Sequence, residues 1–240
     1  MRRVFFAALV LAPCSAQAAD ADVYANCLRL AREVPNLAIQ QADAWRGKGG
    51  GAPAVHCQAV ALLTLKQYED AGLKLELLAD EVERPDLRGG ALGQAAQAWL
   101  NAGKRERAAE LLNKAIALRP NDPELLIDRA GTAAGDKRLP DAIGDLDRAI
   151  AIAPRRDDAL VLRASAKRAL NDLAGARADA DAAVAANPKN GEALLERGII
   201  RLKQGDGPGA AEDWRLVQAA APGTPAAQSA EINLKRMTTP

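Results

Sequence analysis

Aromatic residues and histidine are scarce in this 240-residue chain, since aromatics make up 3% and His56 is the single histidine. A structural zinc site needs about four ligands at workable spacing. His56 has only its neighbour Cys57 and the distant Cys27 as partners of that kind. We therefore expect no metal site, no cofactor and no catalytic centre, and we place His56 on an exposed helix face. The sequence favours a protein that is not an enzyme.

An excess of either charge is also missing. The chain has 32 lysines and arginines against 31 aspartates and glutamates, a formal net charge of +1. Nucleic-acid binding depends on clustered cations that neutralise phosphates, and the sequence has no such basic stripe. The glycine run Gly49-Gly50-Gly51 lacks the Gly-Lys-Ser/Thr ending of a phosphate-binding loop, so we interpret it as a turn. We expect no nucleic acid among the partners.

A long apolar run is absent as well, and the first residues hold only a short one. Two arginines follow Met1, residues 4–12 are apolar, and residues 15–18 have the small-x-small pattern of a signal-peptide cleavage site. The apolar run is too short to remain as a membrane-spanning helix. We expect residues 1–19 to be a signal peptide that is cleaved after Ala18 or Ala19. The protein is then periplasmic or otherwise exported, with no transmembrane segment after cleavage.

The same segment offers an alternative. Leu11-Ala12-Pro13-Cys14 resembles a bacterial lipoprotein box with a lipid-bearing cysteine at Cys14. Proline directly before that cysteine departs from the pattern, which normally has a small residue there. An envelope-associated, lipoprotein-type assembly factor anchored through Cys14 is the alternative interpretation of the leader.

What the chain does have is an internal repeat with a constant period of 34. A fixed period of this length indicates stacked copies of one small unit, none of which can bury its apolar face alone. Turn-forming residues at 102–104, 136–138, 171–172 and 205–207 divide each copy into two helices. One set of prolines and three sets of small residues share the interval: Pro120, Pro154, Pro188 and Pro222; Ala96, Ala130, Ala164 and Gly198; Ala108, Ala142, Ala176 and Ala210; Ala115, Ala149 and Ala183, with Val217.

This pattern resembles the tetratricopeptide repeat family. Trp99 and Leu112 stand where its motif has an aromatic residue, and Gly103 and Gly205 match its turn glycine. Later copies depart from the motif by replacing the first ring with Ala133, Lys167 and Arg201. The resemblance implies an all-α fold: a right-handed superhelical solenoid of antiparallel helix pairs, closed by a C-terminal capping helix.

The repeat predicts the organisation of the whole chain. The step from Ala71 to Ala108 exceeds the period by three, so the segment 83–90 carries the extra residues and we expect a bend there. The predicted parts are a signal peptide at 1–19, a degenerate helical pair at 20–51, a divergent repeat and joint at 52–88, four repeats at 89–122, 123–156, 157–190 and 191–224, and a capping helix and tail at 225–240.

Charged residues follow the same period. Each of three arginines precedes an aspartate by the same interval, and the copy beginning at 89 has lost both charges together, with Ala95 and Leu111 in their places. Joint presence and joint absence predict structural ion pairs between helices rather than catalytic or nucleic-acid contacts. The predicted pairs are Arg129 with Asp145, Arg163 with Asp179 and Arg197 with Asp213.

The two cysteines outside the leader, Cys27 and Cys57, form an even set in a chain that we expect in an oxidising compartment. Their spacing along the chain fits the first helices of two successive pairs. A disulfide between them is our prediction, and two buried reduced cysteines are the alternative.

The resemblance also implies a function. The first helices of the repeats would line a concave groove that holds an extended peptide or a partner helix, with an acidic group near Arg168 and Lys203. The alternatives are that this face is only solvated or covers the chain's own terminal helix, or that the chain is a structural subunit, a homo-oligomer built through its end units. The predicted groove residues are Gln97, Leu100, Asn101, Ile127, Val161, Ser165, Arg168, Leu195, Ile199, Leu202 and Lys203.

Overall fold

The computed structural model describes residues 14–238, and the predicted leader up to Pro13 lies outside them. The described residues form thirteen α-helices and no strand, which confirms the all-α prediction. None of these helices is both long and apolar enough to cross a membrane. The helices are α1 (Cys14–Glu33), α2 (Pro35–Arg46), α3 (Gly51–Thr64), α4 (Tyr68–Glu81), α5 (Pro85–Asn101), α6 (Arg105–Leu118), α7 (Pro123–Gly135), α8 (Leu139–Ile152), α9 (Asp157–Ala169), α10 (Leu173–Ala186), α11 (Gly191–Lys203), α12 (Gly207–Ala220) and α13 (Pro225–Thr238).

The turn between the two helices of a pair has a fixed backbone feature from α3 onward. One residue in each turn has a positive φ, between 60° and 87°. This left-handed conformation reverses the chain within a few residues, and glycine or asparagine adopts it at least cost. These residues are Lys66, Gly103, Lys137, Asn171 and Gly205, of which the last four follow the period of the repeat.

The starts of the first helices are tied to one another in the later repeats. Asp122 caps α7 by accepting from the Glu124 N–H at 3.0 Å, and the Asn190 side chain caps α11 in the same way at 2.9 Å from the Glu192 N–H. The Asn190 amide also donates to Asp157 at the start of α9, at 2.9 Å, and this hydrogen bond lowers the pKa of Asp157. One residue thus caps a helix and links it to the previous repeat.

The chain divides into two compact units, and the boundary between Leu111 and Leu112 falls within α6. In unit 1, α1 packs on α2 and α3, α3 on α4, and α4 on α5. In unit 2, the pairs α7–α8, α9–α10 and α11–α12 follow one another, and α13 packs on α11 and α12. Most of the segment 83–90, where the sequence predicts a bend, is helical, because α5 begins at Pro85 and runs for 17 residues.

The small residues of the repeat form the buried seams between helices. All twelve positions in the three predicted sets are buried. Alanine contributes little apolar area of its own, but it lets two helix backbones approach closely. The small residues therefore bring the helices close together, and buried leucine and isoleucine side chains fill the rest of the core.

Some seams hold a tryptophan instead, and the seam between α11 and α12 is an example. Trp214 of α12 is 1% exposed and lies against Gly198 of α11, where an added Cβ would come 2.8 Å from indole Cδ1. In the preceding repeat the corresponding residues are Ala164 and Ala180, which form a cluster with Ile200. A large residue on one helix is thus matched by the loss of a side chain on the other.

In unit 1, a disulfide joins α1 to α3. Cys27 and Cys57 are bonded, with their Cα atoms 6.0 Å apart, and they are 2% and 0% exposed. Small residues of α1, α2 and α3 surround the pair, among them Ala31, Ala42 and Ala61. The bridge crosses from one helical pair to the next.

His56 does not lie on an exposed face, so that expectation is wrong. Its Nδ1 lies 2.6 Å from the Tyr24 hydroxyl, and its Nε2 lies 2.9 Å from Gln94 Oε1. An amide oxygen only accepts, so Nε2 donates to Gln94 and Nδ1 accepts from Tyr24. Burial raises the pKa of Tyr24. The half-buried histidine links α1, α3 and α5, the first helices of unit 1.

Candidate partner-binding site

Charged side chains of unit 2 form a regular series between first and second helices. Arg163 donates from Nε and Nη2 to the two carboxylate oxygens of Asp179, at 2.9 and 2.6 Å. Arg129 with Asp145, and Arg197 with Asp213, repeat this two-bond geometry. The hydrogen bonds that these arginines donate to the aspartates raise the pKa of all three arginines. These arginines and aspartates stabilise the fold, and their charges are paired with each other within the chain.

Each of these arginines has another contact that the sequence analysis missed. Arg163 Nη1 lies 2.6 Å from Asp147, which belongs to the second helix of the preceding repeat. Arg129 and Arg197 reach Asn113 and Asp181 in the same way, at 2.9 and 3.4 Å. Positions 113, 147 and 181 follow the period of the repeat, so the signal was present in the sequence.

The first helices of unit 2 lie side by side, as α7 contacts α9, α9 contacts α11, and α11 contacts α13. A binding surface built from first helices must therefore lie along this row. The residues predicted to line it fall into buried, paired and exposed groups.

Two of the predicted groove residues are part of the core. Ile127 and Leu195 are 7% and 9% exposed. Leu195 belongs to a cluster with Trp214 and the α13 residues Ala226 and Ala227, and half-buried Ile199 packs against that cluster. The terminal helix thus covers this side of α11, as one of the alternatives held. Ile127 and Leu195 are inaccessible to a partner.

Arg168 is paired within the chain. Its Nε lies 2.5 Å and its Nη2 3.2 Å from the carboxylate oxygens of Glu196, which is 7% exposed. Ser165 Oγ lies 3.4 Å from the same guanidinium. Arg168 therefore ties α9 to α11, and its charge is already matched by Glu196.

The remaining predicted groove residues are accessible in part. In unit 2, Val161 and Ser165 of α9 are half-buried, while Leu202 and Lys203 of α11 are exposed. In unit 1, Leu100 of α5 is half-buried, and Gln97 and Asn101 are exposed on the same helix.

Two further residues, which the repeat pattern also places toward the groove, complete the surface on α7. Gly131 is exposed, and an added Cβ there would meet no atom within 4 Å. Ala134 is half-buried one turn further along the helix. We call Gly131, Ala134, Val161 and Ser165 the first-helix face. It is a strip of small and apolar residues on two neighbouring helices of one unit.

Among the described residues, no group of three or more histidines, cysteines, aspartates or glutamates is placed to hold a metal ion. The histidine is engaged with Tyr24 and Gln94, and Cys27 and Cys57 are bonded to each other.

The family of the chain follows from comparison of its sequence with family profiles. The profile of the tetratricopeptide repeat matches residues 88–157 and 161–225, which together make up more than half of the sequence. The chain belongs to the tetratricopeptide repeat family. The matched ranges contain α7 and most of α9, and all four residues of the first-helix face of this repeat protein lie within them. A search of curated proteins gives no match.

Solved structures share the fold of this repeat protein. PilF of Pseudomonas aeruginosa is 15% identical with a TM-score of 0.70, over 90% of this chain and 99% of that one. A MamA fragment from Desulfovibrio magneticus RS-1 is 22% identical with a TM-score of 0.62, over 79% and 97%. YrrB, described as a repeat protein of this family with an unusual peptide-binding site, is 15% identical with a TM-score of 0.58, over 79% and 96%. At these identities the likeness establishes the fold alone.

Proposed function

We propose that this tetratricopeptide repeat protein is an exported, non-catalytic scaffold that binds a protein or peptide partner on its first-helix face. The observation that carries the proposal is the open strip on α7 and α9. Gly131 offers space on α7 where a side chain of a partner can reach the backbone, and half-buried Val161 provides apolar surface on the neighbouring helix α9. Peptide binding in YrrB, a protein of the same fold, supports this class of function.

The pairing of charges within the chain narrows the kind of partner that the first-helix face can bind. The sequence alone suggested an acidic group of the partner near Arg168, but Glu196 already neutralises this guanidinium at 2.5 Å. The arginines of the ion-pair series are likewise engaged with aspartates. A partner that meets the first-helix face therefore gains mainly from apolar contacts, and an extended segment with small or apolar side chains fits best.

Export rests on the leader pattern of residues 1–19 and is supported by the disulfide, since such bonds persist in oxidising compartments. The test is the mass of the chain recovered from the periplasm of a bacterial host. A mature chain beginning at Ala19 or Asp20 supports export, and a full-length chain retained in the cytoplasm contradicts it.

The binding proposal can be tested with two matched glycine substitutions. Gly131 on α7 and Gly144 on α8 are both exposed helical glycines, and an added Cβ at either would meet no atom within 4 Å. Gly131→Trp should fill the first-helix face without disturbing the fold, whereas Gly144→Trp places the same ring on a second helix. We expect Gly131→Trp to abolish capture of partners from an envelope extract and Gly144→Trp to leave it unchanged.

Thermal melting of both variants controls for folding, since each should melt near the unsubstituted protein. Leu195 is unsuited to such a test because its substitution would disrupt the core around Trp214. Capture of the same proteins by both variants would show that the first-helix face is not the binding surface.

A further inference from the structure

A cleft opens in unit 1 on the side of the second helices. It has a volume of about 370 Å³, with α2 and α4 as its walls and α3 as its floor. Leu73 and Leu77 of α4 border it and are 58% and 39% exposed, although both are large apolar side chains. Leu62 of α3 extends the apolar lining. We call this site the second-helix cleft.

A buried acceptor belongs to a residue that lines the same cleft. Gln58 lines the floor and is 2% exposed, yet its Oε1 has no hydrogen-bond partner among the described residues. Its Nε2 donates to the Asp43 carboxylate on α2. A carboxylate only accepts, so this contact fixes which end of the amide bears the oxygen. An unsatisfied buried carbonyl oxygen costs free energy, and a donor from a ligand would remove that cost.

Charges at the cleft indicate what kind of donor fits. The carboxylates of Asp43 and Asp70 line the walls, and Lys74 is the single basic residue beside them. The lining therefore has one more negative than positive charge. A cation placed over Gln58 would satisfy Oε1 and balance the excess carboxylate at once.

We propose that the second-helix cleft is a docking site for a partner segment that presents a lysine or arginine between apolar side chains. The cationic group donates to Gln58 Oε1 and lies near Asp43 and Asp70. Flanking apolar side chains cover Leu73 and Leu77, which removes apolar surface from water. Acceptor, carboxylates and apolar walls all belong to three consecutive helices, so one short segment can meet them together.

This site is independent of the first-helix face. It is formed by α2, α3 and α4 of unit 1, whereas the first-helix face belongs to α7 and α9 of unit 2. The Gly131→Trp variant should therefore leave binding at the cleft unchanged. Each proposal can fail without the other.

The test uses blocked hexapeptides with leucine and alanine flanks and a central lysine, arginine, norleucine or glutamate. Fluorescence anisotropy measures their affinity for the disulfide-bonded protein. We expect the lysine and arginine peptides to bind at least tenfold more tightly than the norleucine and glutamate peptides. Gln58→Leu and Leu73→Ser should each weaken the cationic peptides tenfold or more, and Asp70→Asn should reduce their advantage over norleucine.

Matched controls come from similar residues elsewhere. Leu216 is 45% exposed on α12, and Asp80 is exposed on α4 outside the cleft lining, so Leu216→Ser and Asp80→Asn should not change the affinities. Because Leu73 is exposed, Leu73→Ser is expected to fold, and thermal melting of the variant checks this. The proposal is overturned if no peptide binds, if cationic and neutral peptides bind alike, or if Leu73→Ser binds as the unsubstituted protein does. A dimer in sedimentation that Leu73→Ser abolishes would also overturn it, since a second copy would then cover the cleft.

Discussion

At the scale of single residues, the large ring of Trp214 fits between two helices because the facing residue, Gly198, has no side chain. Trp214 is nearly fully buried, and its indole Nε1 donates to the Leu195 carbonyl oxygen at 3.3 Å. The ring occupies the space that a side chain at Gly198 would need. Since protein interiors are close-packed, the glycine and the tryptophan have to be treated as one pair.

We therefore predict that Gly198→Ala destabilises the protein, even though alanine is the better helix former. The new methyl group would overlap the Trp214 ring, and overpacking of this kind costs about 1–3 kcal/mol. The measurement is the free energy of unfolding in urea. The control is Gly131→Ala, also inside a helix but with open space around it, which should stabilise the protein by roughly 0.5–1 kcal/mol. Equal effects of the two substitutions would contradict the packing argument.

The positions of small residues could be predicted from the period, because every copy meets the same steric demand. The pairing of Gly198 with Trp214 was not predicted. Both residues stand at repeat positions, but the sequence does not show that these two positions face each other. The distance between two residues on facing helices is known only from the packed structure.

At the scale of helices, the ion-pair series joins neighbouring repeats as well as the helices within one. Arg163 contacts Asp179 in its own repeat and Asp147 in the one before. The Asp179 side chain is 8% exposed and the Arg163 side chain 17%. Removing one partner would leave a largely buried charge without its main counterion, which is the costly case for an ion pair.

Arg163→Ala should lower the free energy of unfolding by about 2–3 kcal/mol, less than the full cost of an isolated buried charge. The reason for the lower figure is Lys167, whose Nζ also lies 2.8 Å from Asp179 and remains to balance it. Urea unfolding measures the difference. Lys167→Ala should cost less than Arg163→Ala, and Arg215→Ala, on an exposed position of α12, should change stability by at most about 0.5 kcal/mol. If Arg215→Ala costs as much as Arg163→Ala, the series does not stabilise the fold.

Periodicity explains which contacts between helices could be foreseen. The arginine–aspartate pairs recur with the period of the repeat and were predicted on that ground. Arg168 and Glu196 occur together in one place only, since the equivalent residues in the preceding repeat are Ala134 and Leu162. A contact that occurs in only one repeat cannot be recognised from the periodicity of the sequence. The groove prediction was incorrect at Arg168 for this reason, and at Leu195 because α13 packs over the helix that carries it.

At the scale of the whole molecule, stability in a repeat protein is approximately a sum of local terms between neighbours. The two compact units of this chain differ in how they are held. Unit 1, where the repeat is most degenerate, has the Cys27–Cys57 bond and the Tyr24–His56–Gln94 contacts. Unit 2 has regular repeats and the ion-pair series. A perturbation of the disulfide should therefore remain local.

Removal of the disulfide in the double variant Cys27→Ser/Cys57→Ser should destabilise unit 1 by about 3–4 kcal/mol, from the entropy of closing a loop of this length. Hydrogen exchange followed by mass spectrometry measures where the loss occurs. Amides of α1 to α3 should exchange faster, while those of α9 to α12 keep their protection, because each repeat depends on its immediate neighbours. The unsubstituted protein treated with reductant under mild denaturation should show the same pattern. Uniform loss of protection through both units would mean that the chain unfolds as one cooperative body, and the description by local terms would then be wrong.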